Sequence, residues 1–214
     1  MYDLLIIGGG PAGYRAAEVA AQAGLSTILF EQTALGGVCL NEGCIPSKTL
    51  LNSAKLLDSV KDGAAFGIRA ELTGLDMPAL IARKRKIVRQ LTSGVKSSVQ
   101  AAGAEIVGQK AIIRSVSAGI ATVEAGEQAY EGRRLLIAAG SEILVPPIPG
   151  LADALAGGTA ITSREALELE SVPERMVVIG AGVIGLELAG FYRSAGAEIE
   201  VVELTDHIGG NMDR

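Results

Sequence analysis

The stretch from Gly36 to Lys48 contains both cysteines of the 214-residue chain, five residues apart. A disulfide between such close positions would close a short loop and gain little from chain entropy, because that gain grows with loop length. If Cys39 and Cys44 shared one ideal helix, their Cα atoms would be about 8–9 Å apart, whereas a disulfide spans less than about 7 Å. The two residues are therefore either unrelated thiols or a redox pair on a locally bent backbone.

The surroundings of the cysteines favour the redox pair over two buried, reduced thiols. Helix-like sequence begins at about Cys44, and a helix N-terminus stabilises a thiolate. Lys48 follows one turn later and adds a positive charge on the same face. The N-terminus is interpreted as a buried strand and not as an export signal, which predicts a cytoplasmic protein, where catalytic disulfides are the usual exception to the rarity of disulfides.

Two glycine-rich segments recur in the same setting, each between a short apolar strand and a helix. The glycines are Gly8, Gly10 and Gly13 in the first segment and Gly180, Gly182 and Gly185 in the second. In each copy a second strand follows and a glutamate ends it, at Glu31 and at Glu203. The spacing from the third glycine to the glutamate is the same in both copies.

This pattern of glycines, strands and an acid predicts two dinucleotide-binding folds. The first glycine permits a tight turn, the second lets a pyrophosphate approach the backbone, and the third lets helix and strand pack closely. The glutamate accepts hydrogen bonds from a ribose, and the helix N-terminus attracts phosphate. Glu203 would repel a 2′-phosphate and no arginine follows it before Arg214, so the second copy favours NAD over NADP. The alternative is a pair of glycine-rich turns that bind nothing.

The order of elements predicts an α/β protein with two Rossmann-like nucleotide folds, the second of them incomplete. Between the copies we expect helices over 47–60 and 77–102 and strands of a small sheet, with a return to the main sheet, over 105–114, 120–124 and 133–138. Three prolines, at positions 146, 147 and 149, mark an exit loop. We therefore predict a first nucleotide-binding domain over residues 1–147 and a linker with the start of a second over residues 148–214.

Composition narrows the possible partners. The net charge of −5 gives no reason to expect a nucleic-acid partner. No apolar run reaches the roughly 18 residues that a membrane helix needs. The one basic block, Arg83 to Lys86, is predicted to lie on a solvated helix face, and no metal site is predicted.

With these motifs the chain resembles the pyridine nucleotide–disulfide oxidoreductases and, among them, the dihydrolipoyl dehydrogenases. The resemblance covers nearly the whole chain and is carried by GGGPAG at 8–13, GGVCLNEGCIPSK at 36–48, LLIAAGS at 135–141 and VVIGAGVIGLELAG at 177–190. Leu40, Ile45, Ser47 and Lys48 resemble the lipoamide type, whereas glutathione and trypanothione reductases usually have a lysine where Ser47 stands. One departure is Ala139, where the family usually has a threonine, so one possible hydrogen bond is lost.

The resemblance implies that the first domain binds FAD and the second binds NAD. Cys39 would be the outer thiol that exchanges with dihydrolipoamide, and Cys44 the inner thiol that forms a charge-transfer complex with the flavin. Lys48 would lie near flavin N5, paired with Glu187. Electrons would pass from the dithiol to a Cys39–Cys44 disulfide, then to FAD, and as hydride to NAD⁺. The implied FAD-binding residues are Gly8, Gly10, Pro11, Ala12, Gly13, Glu31, Gly37, Lys48, Ala139 and Gly140, and the NAD-binding residues are Gly180, Gly182, Gly185 and Glu203.

Family members are much longer, so the resemblance implies the N-terminal portion of a larger enzyme, with a role in cell redox homeostasis. The larger protein is expected to be a homodimer that acts on dihydrolipoamide carried by the lipoyl domain of a 2-oxo acid dehydrogenase or glycine cleavage complex. This chain alone is expected to lack NAD-linked turnover, and its single histidine, His207, is expected to be a surface residue.

Alternatives within the family are a mercuric or glutathione reductase-like enzyme, a transhydrogenase or an NADH oxidase. Transhydrogenases usually lack one of the two cysteines. From another class, the chain could be a non-catalytic FAD-binding module. The presence of Cys39, Cys44, Lys48 and Glu187 argues against such a module, because binding alone needs none of them.

Overall fold

The computed structural model describes residues 1–210, and these form two compact units. The first unit combines residues 1–43 with 87–142, and the second combines residues 44–86 with the chain from Ile143 onward. The predicted boundary at residue 147 lies close to the last of these divisions, but residues 44–86 group with the second unit. The assignment of the two nucleotide-binding domains stays a prediction, and Arg214 lies outside the described residues.

A six-stranded sheet forms the centre of the first unit, in the order β3-β2-β1-β6-β5-β4. Its strands are β1 (Tyr2–Ile7), β2 (Thr27–Phe30), β3 (Glu105–Val107), β4 (Ala111–Ser117), β5 (Ile120–Ala125) and β6 (Gln128–Ile137). Strands β3, β2, β1 and β6 are parallel neighbours, whereas β4, β5 and β6 form an antiparallel meander. Because the carboxyl ends of parallel strands share one edge, the residues after β1, β2 and β6 are brought together there.

Alternation of side chains along the strands gives this sheet two apolar faces. Leu5 and Ile28 contribute to one core cluster, and their neighbours Ile6 and Leu29 contribute to the other. The cluster that contains Ile6 also includes Ala17 of the helix α1 (Pro11–Gln22). Both faces of the parallel strands are therefore covered, which explains why these strands are continuous apolar runs in the sequence.

The prediction of one strand over residues 105–114 was wrong. The segment forms two strands separated by residues 108–110, and these lie at opposite edges of the sheet. One strand cannot serve both places, because β3 pairs parallel with β2 while β4 pairs antiparallel with β5. The meander is also continuous with the main sheet through β6 and is not a separate small sheet.

A two-stranded parallel sheet and several helices form the second unit. The strands are β7 (Arg175–Ile179) and β8 (Glu198–Val202). The helices in chain order, including those of the first unit, are α1, α2 (Gly37–Glu42), α3 (Cys44–Lys61), α4 (Met77–Ala101), α5 (Leu151–Ala156), α6 (Ser163–Ala166) and α7 (Val183–Ala195), with a 3₁₀ turn at Gly63–Phe66. Leu50 of α3, Ile81 of α4 and Tyr192 of α7 meet in one buried cluster, which holds the unit together.

Within the basic block, the expectation of a solvated face was wrong for Lys84. Its side chain is only 2 % exposed, and its ammonium group donates to the Leu167 carbonyl oxygen at 2.6 Å and to the Glu168 carboxylate. Burial lowers the pKa of Lys84, and the bonds to Glu168 oppose that shift. Arg85 shares Glu168 through a 2.9 Å hydrogen bond. Of the four residues in the basic block, Lys84 therefore faces inward, and its partner Glu168 lies more than eighty residues away in the sequence.

Substituting Lys84 with methionine is expected to destabilise the second unit by about 1–3 kcal/mol, because the buried Leu167 carbonyl loses its donor. Lys86→Met is the matched control, since Lys86 is exposed on the same helix and should change stability by no more than about 0.5 kcal/mol. Urea unfolding followed by circular dichroism measures both. Equal unfolding midpoints for the two variants would contradict the structural role of Lys84.

None of the helices in residues 1–210 contains an apolar stretch of the length that spanning a lipid bilayer requires.

Candidate functional site

The first glycine loop lies where β1 ends and α1 begins. Gly8 has φ +104°, and a Cβ atom there would stand 2.1 Å from the Ala138 carbonyl oxygen. A Cβ atom on Gly13 would stand 1.8 Å from the Gly8 carbonyl oxygen. Both distances involve backbone atoms that have no rotamer to change. The outer two glycines of the motif are therefore required by the packing of the chain itself.

The second glycine loop repeats this construction between β7 and α7. Gly180 has φ +100°, and its N–H donates to the Val202 carbonyl oxygen at 2.8 Å, as Gly8 N–H donates to Phe30 at 2.8 Å. A Cβ atom on Gly185 would stand 2.3 Å from the Gly180 carbonyl oxygen. Two segments with different sequences thus adopt the same turn.

The middle glycines behave differently from their neighbours. Gly10 and Gly182 have φ near −70°, which any residue can adopt, and each is the N-cap of its helix with no side-chain capping bond. A Cβ atom on Gly10 would make only an ordinary 3.8 Å contact with Gly37, and one on Gly182 would meet nothing within 4 Å. Nothing in the described chain requires glycine here. A group that approaches the backbone, such as a pyrophosphate, would require it.

In each glycine loop, a backbone N–H donates to the glutamate that was predicted from the sequence. Glu31 Oε2 accepts from Gly9 N–H at 2.7 Å, and Glu203 Oε2 accepts from Ala181 N–H at 2.7 Å. Hydrogen bonds from the backbone of Thr205, the backbone of Ala181 and the Thr205 hydroxyl lower the pKa of Glu203 to about 2. The carboxylate therefore lies beside the helix N-terminus as an anion.

This lowered pKa gives Glu203 a predictable effect on stability. A carboxyl group whose pKa is lower in the folded state stabilises the fold above its unfolded pKa near 4.5, and loses that effect as pH falls toward 2. When the pH is lowered from 5 to 3, we expect the free energy of unfolding to fall less in Glu203→Gln than in the wild type. Urea midpoints across this range measure the difference, with the exposed Glu200→Gln on β8 as control. Parallel pH profiles for wild type and Glu203→Gln would contradict the assignment.

The cysteine segment begins directly on the first glycine loop. Gly36 N–H donates to the Gly9 carbonyl oxygen at 2.8 Å, and a Cβ atom on Gly37 would stand 2.7 Å from Gly10 Cα. Both Gly36 and Gly37 have positive φ, at +95° and +56°. The sequence prediction named Gly37 but missed Gly36, although the Gly-Gly pair itself was a signal for close backbone approach.

Cys39 lies in the middle of α2 and is half-buried. The Asn41 side chain donates to the carbonyl oxygens of Leu35 and Gly37, at 3.0 and 2.9 Å, and so fastens α2 to the start of its own segment. Asn41 was not predicted as a site residue. Because α2 starts against the glycine loop and is fastened there, Cys39 has a fixed place in the first unit.

Cys44 is the first residue of α3 and is exposed. Gly43 separates it from α2 with φ −141° and ψ −110°, so the two cysteines do not share one helix. The expected helix N-terminus is therefore present for Cys44, but not for Cys39, which has its own short helix. Both cysteines are free thiols in the structure, and their role as a redox pair stays a prediction.

Lys48 lies one turn after Cys44 and forms an ion pair with Glu187 of α7. The Lys48 side chain is 60 % exposed and that of Glu187 is 27 % exposed. The resemblance implied this pair, and the structure contains it. Their roles toward a flavin stay a prediction.

The remaining predicted positions lie near the ends of strands or helices. Pro11 and Ala12 form the first turn of α1, where the missing N–H of proline costs nothing. Ala139 and Gly140 follow β6, and Ala138 N–H donates to the Ile7 carbonyl oxygen at 2.7 Å beside the first glycine loop. His207 is exposed and bonds Asp206. In residues 1–210, no group of three or more His, Cys, Asp or Glu side chains could hold a metal ion.

The comparisons with known proteins agree with this architecture. The family model for "Pyridine nucleotide-disulphide oxidoreductase" matches residues 2–214. Dihydrolipoyl dehydrogenases of Acholeplasma laidlawii, Mycoplasma pneumoniae and Pseudomonas aeruginosa are 38 %, 41 % and 43 % identical over 99 %, 97 % and 96 % of the chain. The chain spans 62 %, 45 % and 44 % of those relatives.

Among solved structures, the chain is similar to a Cu(II) complex of the HOCl-induced flavoprotein disulfide reductase RclA from Escherichia coli. The TM-score is 0.80 and the identity 26 %, over 99 % of this chain and 44 % of that one. Two nucleotide loops of one construction, a cysteine pair that follows the first loop and a family match over residues 2–214 support one conclusion. The chain belongs to the pyridine nucleotide-disulphide oxidoreductase family.

Proposed function

We propose that this chain carries the nucleotide and dithiol elements of a flavin-dependent disulfide oxidoreductase that oxidises dihydrolipoamide with NAD⁺ as final acceptor. The observation that carries the proposal is the direct seating of the cysteine segment on the first glycine loop through Gly36 and Gly37. A binding module would need the glycine loop alone. Here the backbone of the loop also fixes the start of the helix that contains Cys39.

The residues present fit the two cofactors. In the first unit the space in front of Gly10 and the carboxylate of Glu31 would hold the pyrophosphate and the ribose of FAD. In the second unit Gly182 and Glu203 would do the same for NAD. FAD, when bound, would supply the hydride transfer that links the two cysteine thiols to NAD⁺.

The thiol chemistry belongs to the chain's own cysteines. In the oxidised enzyme, a thiolate of dihydrolipoamide attacks Cys39 of the Cys39–Cys44 disulfide, and Cys44 leaves as a thiolate. The second thiol of the substrate then displaces Cys39, which releases lipoamide and leaves both cysteines reduced. Two electrons have then moved from the substrate to the protein, with the proton of the second substrate thiol on Cys39 and Cys44 left as the thiolate. Re-forming the disulfide passes the electrons on toward NAD⁺.

Cys44 is suited to be the leaving thiolate of this exchange. It is the first residue of the 18-residue α3, where the helix dipole stabilises a negative charge. The Lys48 ammonium on the next turn adds to this stabilisation, and Glu187 holds that ammonium in place. A charge held by a partner keeps its position better than that of a freely moving lysine side chain.

The choice of dihydrolipoamide rests on the named relatives and on the residues around the cysteines. Curated relatives at 38 to 43 % identity are dihydrolipoyl dehydrogenases. Ser47, where related glutathione-type enzymes have a lysine, is half-buried and donates to the Cys44 carbonyl oxygen at 3.3 Å. A lipoyl domain as carrier, a homodimeric whole protein and a cytoplasmic location accompany this proposal.

An absorption experiment on FAD-reconstituted chain tests the proposal. Under anaerobic conditions, dihydrolipoamide should produce a new long-wavelength band in the wild type, because a thiolate then stands beside the flavin. We expect Cys44→Ser to show no such band while it retains bound FAD. Ser59→Ala, at an exposed position of the same helix, is the control and should behave as wild type. A band of equal strength in Cys44→Ser would contradict the role of Cys44.

A further inference from the structure

Each glutamate of the two glycine loops is held by a threonine two residues further along the chain. Glu31 Oε1 accepts from Thr33 N–H and from Thr33 Oγ1, both at 2.8 Å. Glu203 Oε1 accepts from Thr205 N–H at 2.9 Å and from Thr205 Oγ1 at 3.0 Å. The two copies lie in different units, yet their hydrogen bonds agree to within about 0.2 Å.

The bonds divide the two oxygens of each carboxylate between different tasks. A carboxylate can accept about four hydrogen bonds, two on each oxygen. In both copies the threonine supplies two bonds to Oε1, and the glycine loop supplies one bond to Oε2, from Gly9 or from Ala181. The acceptor capacity that remains is therefore on Oε2, the oxygen that already faces the loop.

We propose that Thr33 and Thr205 are positioning residues, which fix the glutamate so that Oε2 presents its remaining acceptor site to a ribose hydroxyl of the nucleotide. The inference rests on the proposed nucleotide-binding function. The threonine backbone N–H would remain in any variant, so its hydroxyl is the part that a substitution can test. Fixing the carboxylate before binding reduces the ordering that the nucleotide would otherwise have to impose.

The second copy offers a further reason to expect a specific effect. The single hydroxyl proton of Thr205 is shared between Glu203 Oε1, at 3.0 Å, and the His207 carbonyl oxygen of the loop that follows, at 2.9 Å. Removing the hydroxyl therefore releases Oε1 without deleting the charge of Glu203. The result should be a less well oriented carboxylate and not a missing one.

NAD binding by the 214-residue chain, measured by isothermal titration calorimetry, tests this inference in the second unit. The variants are Thr205→Val, which keeps the shape but lacks the hydroxyl, and Thr205→Ser, which restores the hydroxyl. The ligands are NAD and the NAD analogue whose adenosine ribose lacks the 2′-hydroxyl. We expect Thr205→Val to weaken NAD about five- to tenfold and to leave the deoxy analogue nearly unchanged. Thr205→Ser should bind both ligands as the wild type does.

Equal weakening of both ligands, or no weakening of NAD, would overturn the positioning role of Thr205. Glu203→Gln separates this failure from failure of the proposed function. If Glu203→Gln loses the preference for the 2′-hydroxyl and Thr205→Val keeps it, the threonine inference alone is wrong. If the folded wild-type chain binds no NAD, the proposed function fails and the inference fails with it.

A spectroscopic readout distinguishes positioning from a general structural role. Because two of the hydrogen bonds that lower the pKa of Glu203 come from Thr205, one of them from its hydroxyl, Thr205→Val should raise that pKa without a nucleotide present. Carbon-13 NMR of the side-chain carboxyl follows it directly. An unchanged titration would show that the hydroxyl does not act on Glu203.

Discussion

Replacing Gly13 with alanine is expected to leave the first unit unable to fold stably, with a loss of more than about 4 kcal/mol. The new Cβ atom would stand 1.8 Å from the Gly8 carbonyl oxygen. Gly8 has no room to move away, because its N–H donates to the Phe30 carbonyl oxygen at 2.8 Å and a Cβ atom on it would stand only 2.1 Å from the Ala138 carbonyl oxygen. Relief would require α1 to separate from β1, which would expose the buried Ala17 and Ile6.

Gly94→Ala is the matched control for this change. Gly94 lies in α4, is exposed, and would place its Cβ atom in open space. Because alanine favours a helix over glycine by about 1 kcal/mol, this variant should be as stable as the wild type or slightly more stable. Thermal unfolding followed by circular dichroism compares the two. A Gly13→Ala protein that unfolds within a few degrees of wild type would show that the loop is not packed as described.

Replacing Gly182 with alanine is expected to leave the fold unchanged and to reduce the affinity for NAD about thirtyfold or more. The backbone at Gly182 suits any residue, and a Cβ atom there meets nothing within 4 Å. The methyl group would instead fill the space where a pyrophosphate approaches the N-terminus of α7. Losing one or two charge-assisted hydrogen bonds accounts for an effect of this size.

Gly190→Ala provides the control on the same helix, since its Cβ atom would also enter open space, but away from the N-terminus. Both variants should unfold at the wild-type temperature, and only Gly182→Ala should bind NAD weakly in calorimetry. If Gly182→Ala binds NAD as the wild type does, the space in front of that glycine is not a pyrophosphate site. If Gly182→Ala unfolds at a lower temperature than the wild type, Gly182 is required for the fold.

The sequence predicted the parts of this site that are local. The two glycine segments between strand and helix were identified from the sequence, and the helix expected over 77–102 and the strand expected over 120–124 lie within one residue of their observed bounds. Such features depend on the chemistry of neighbouring residues, for example a turn that only glycine can adopt. The pairing of Lys48 with Glu187 was predicted from the family resemblance, since no spacing rule relates residues on two helices that are far apart in the sequence.

What the sequence did not predict depends on distant parts of the chain. Lys84 looked like one member of a solvated basic run, yet the chain near Leu167 covers it and supplies its partners. The break at residues 108–110 separates two strands because each pairs with a different edge of the sheet, and sequence composition does not report the pairing partner. Thr33 and Thr205 were missed because threonine after a strand is common. Their hydrogen bonds to Glu31 and Glu203 become visible only in the structure.

We propose that the chain has two separate dinucleotide sites, one in each unit. An FAD titration of the 214-residue chain, followed by flavin fluorescence with and without saturating NAD, distinguishes two sites from one. We expect one FAD bound per chain in both conditions, because FAD and NAD would occupy different glycine loops. Competition between FAD and NAD, or a folded chain that binds no FAD, would contradict it.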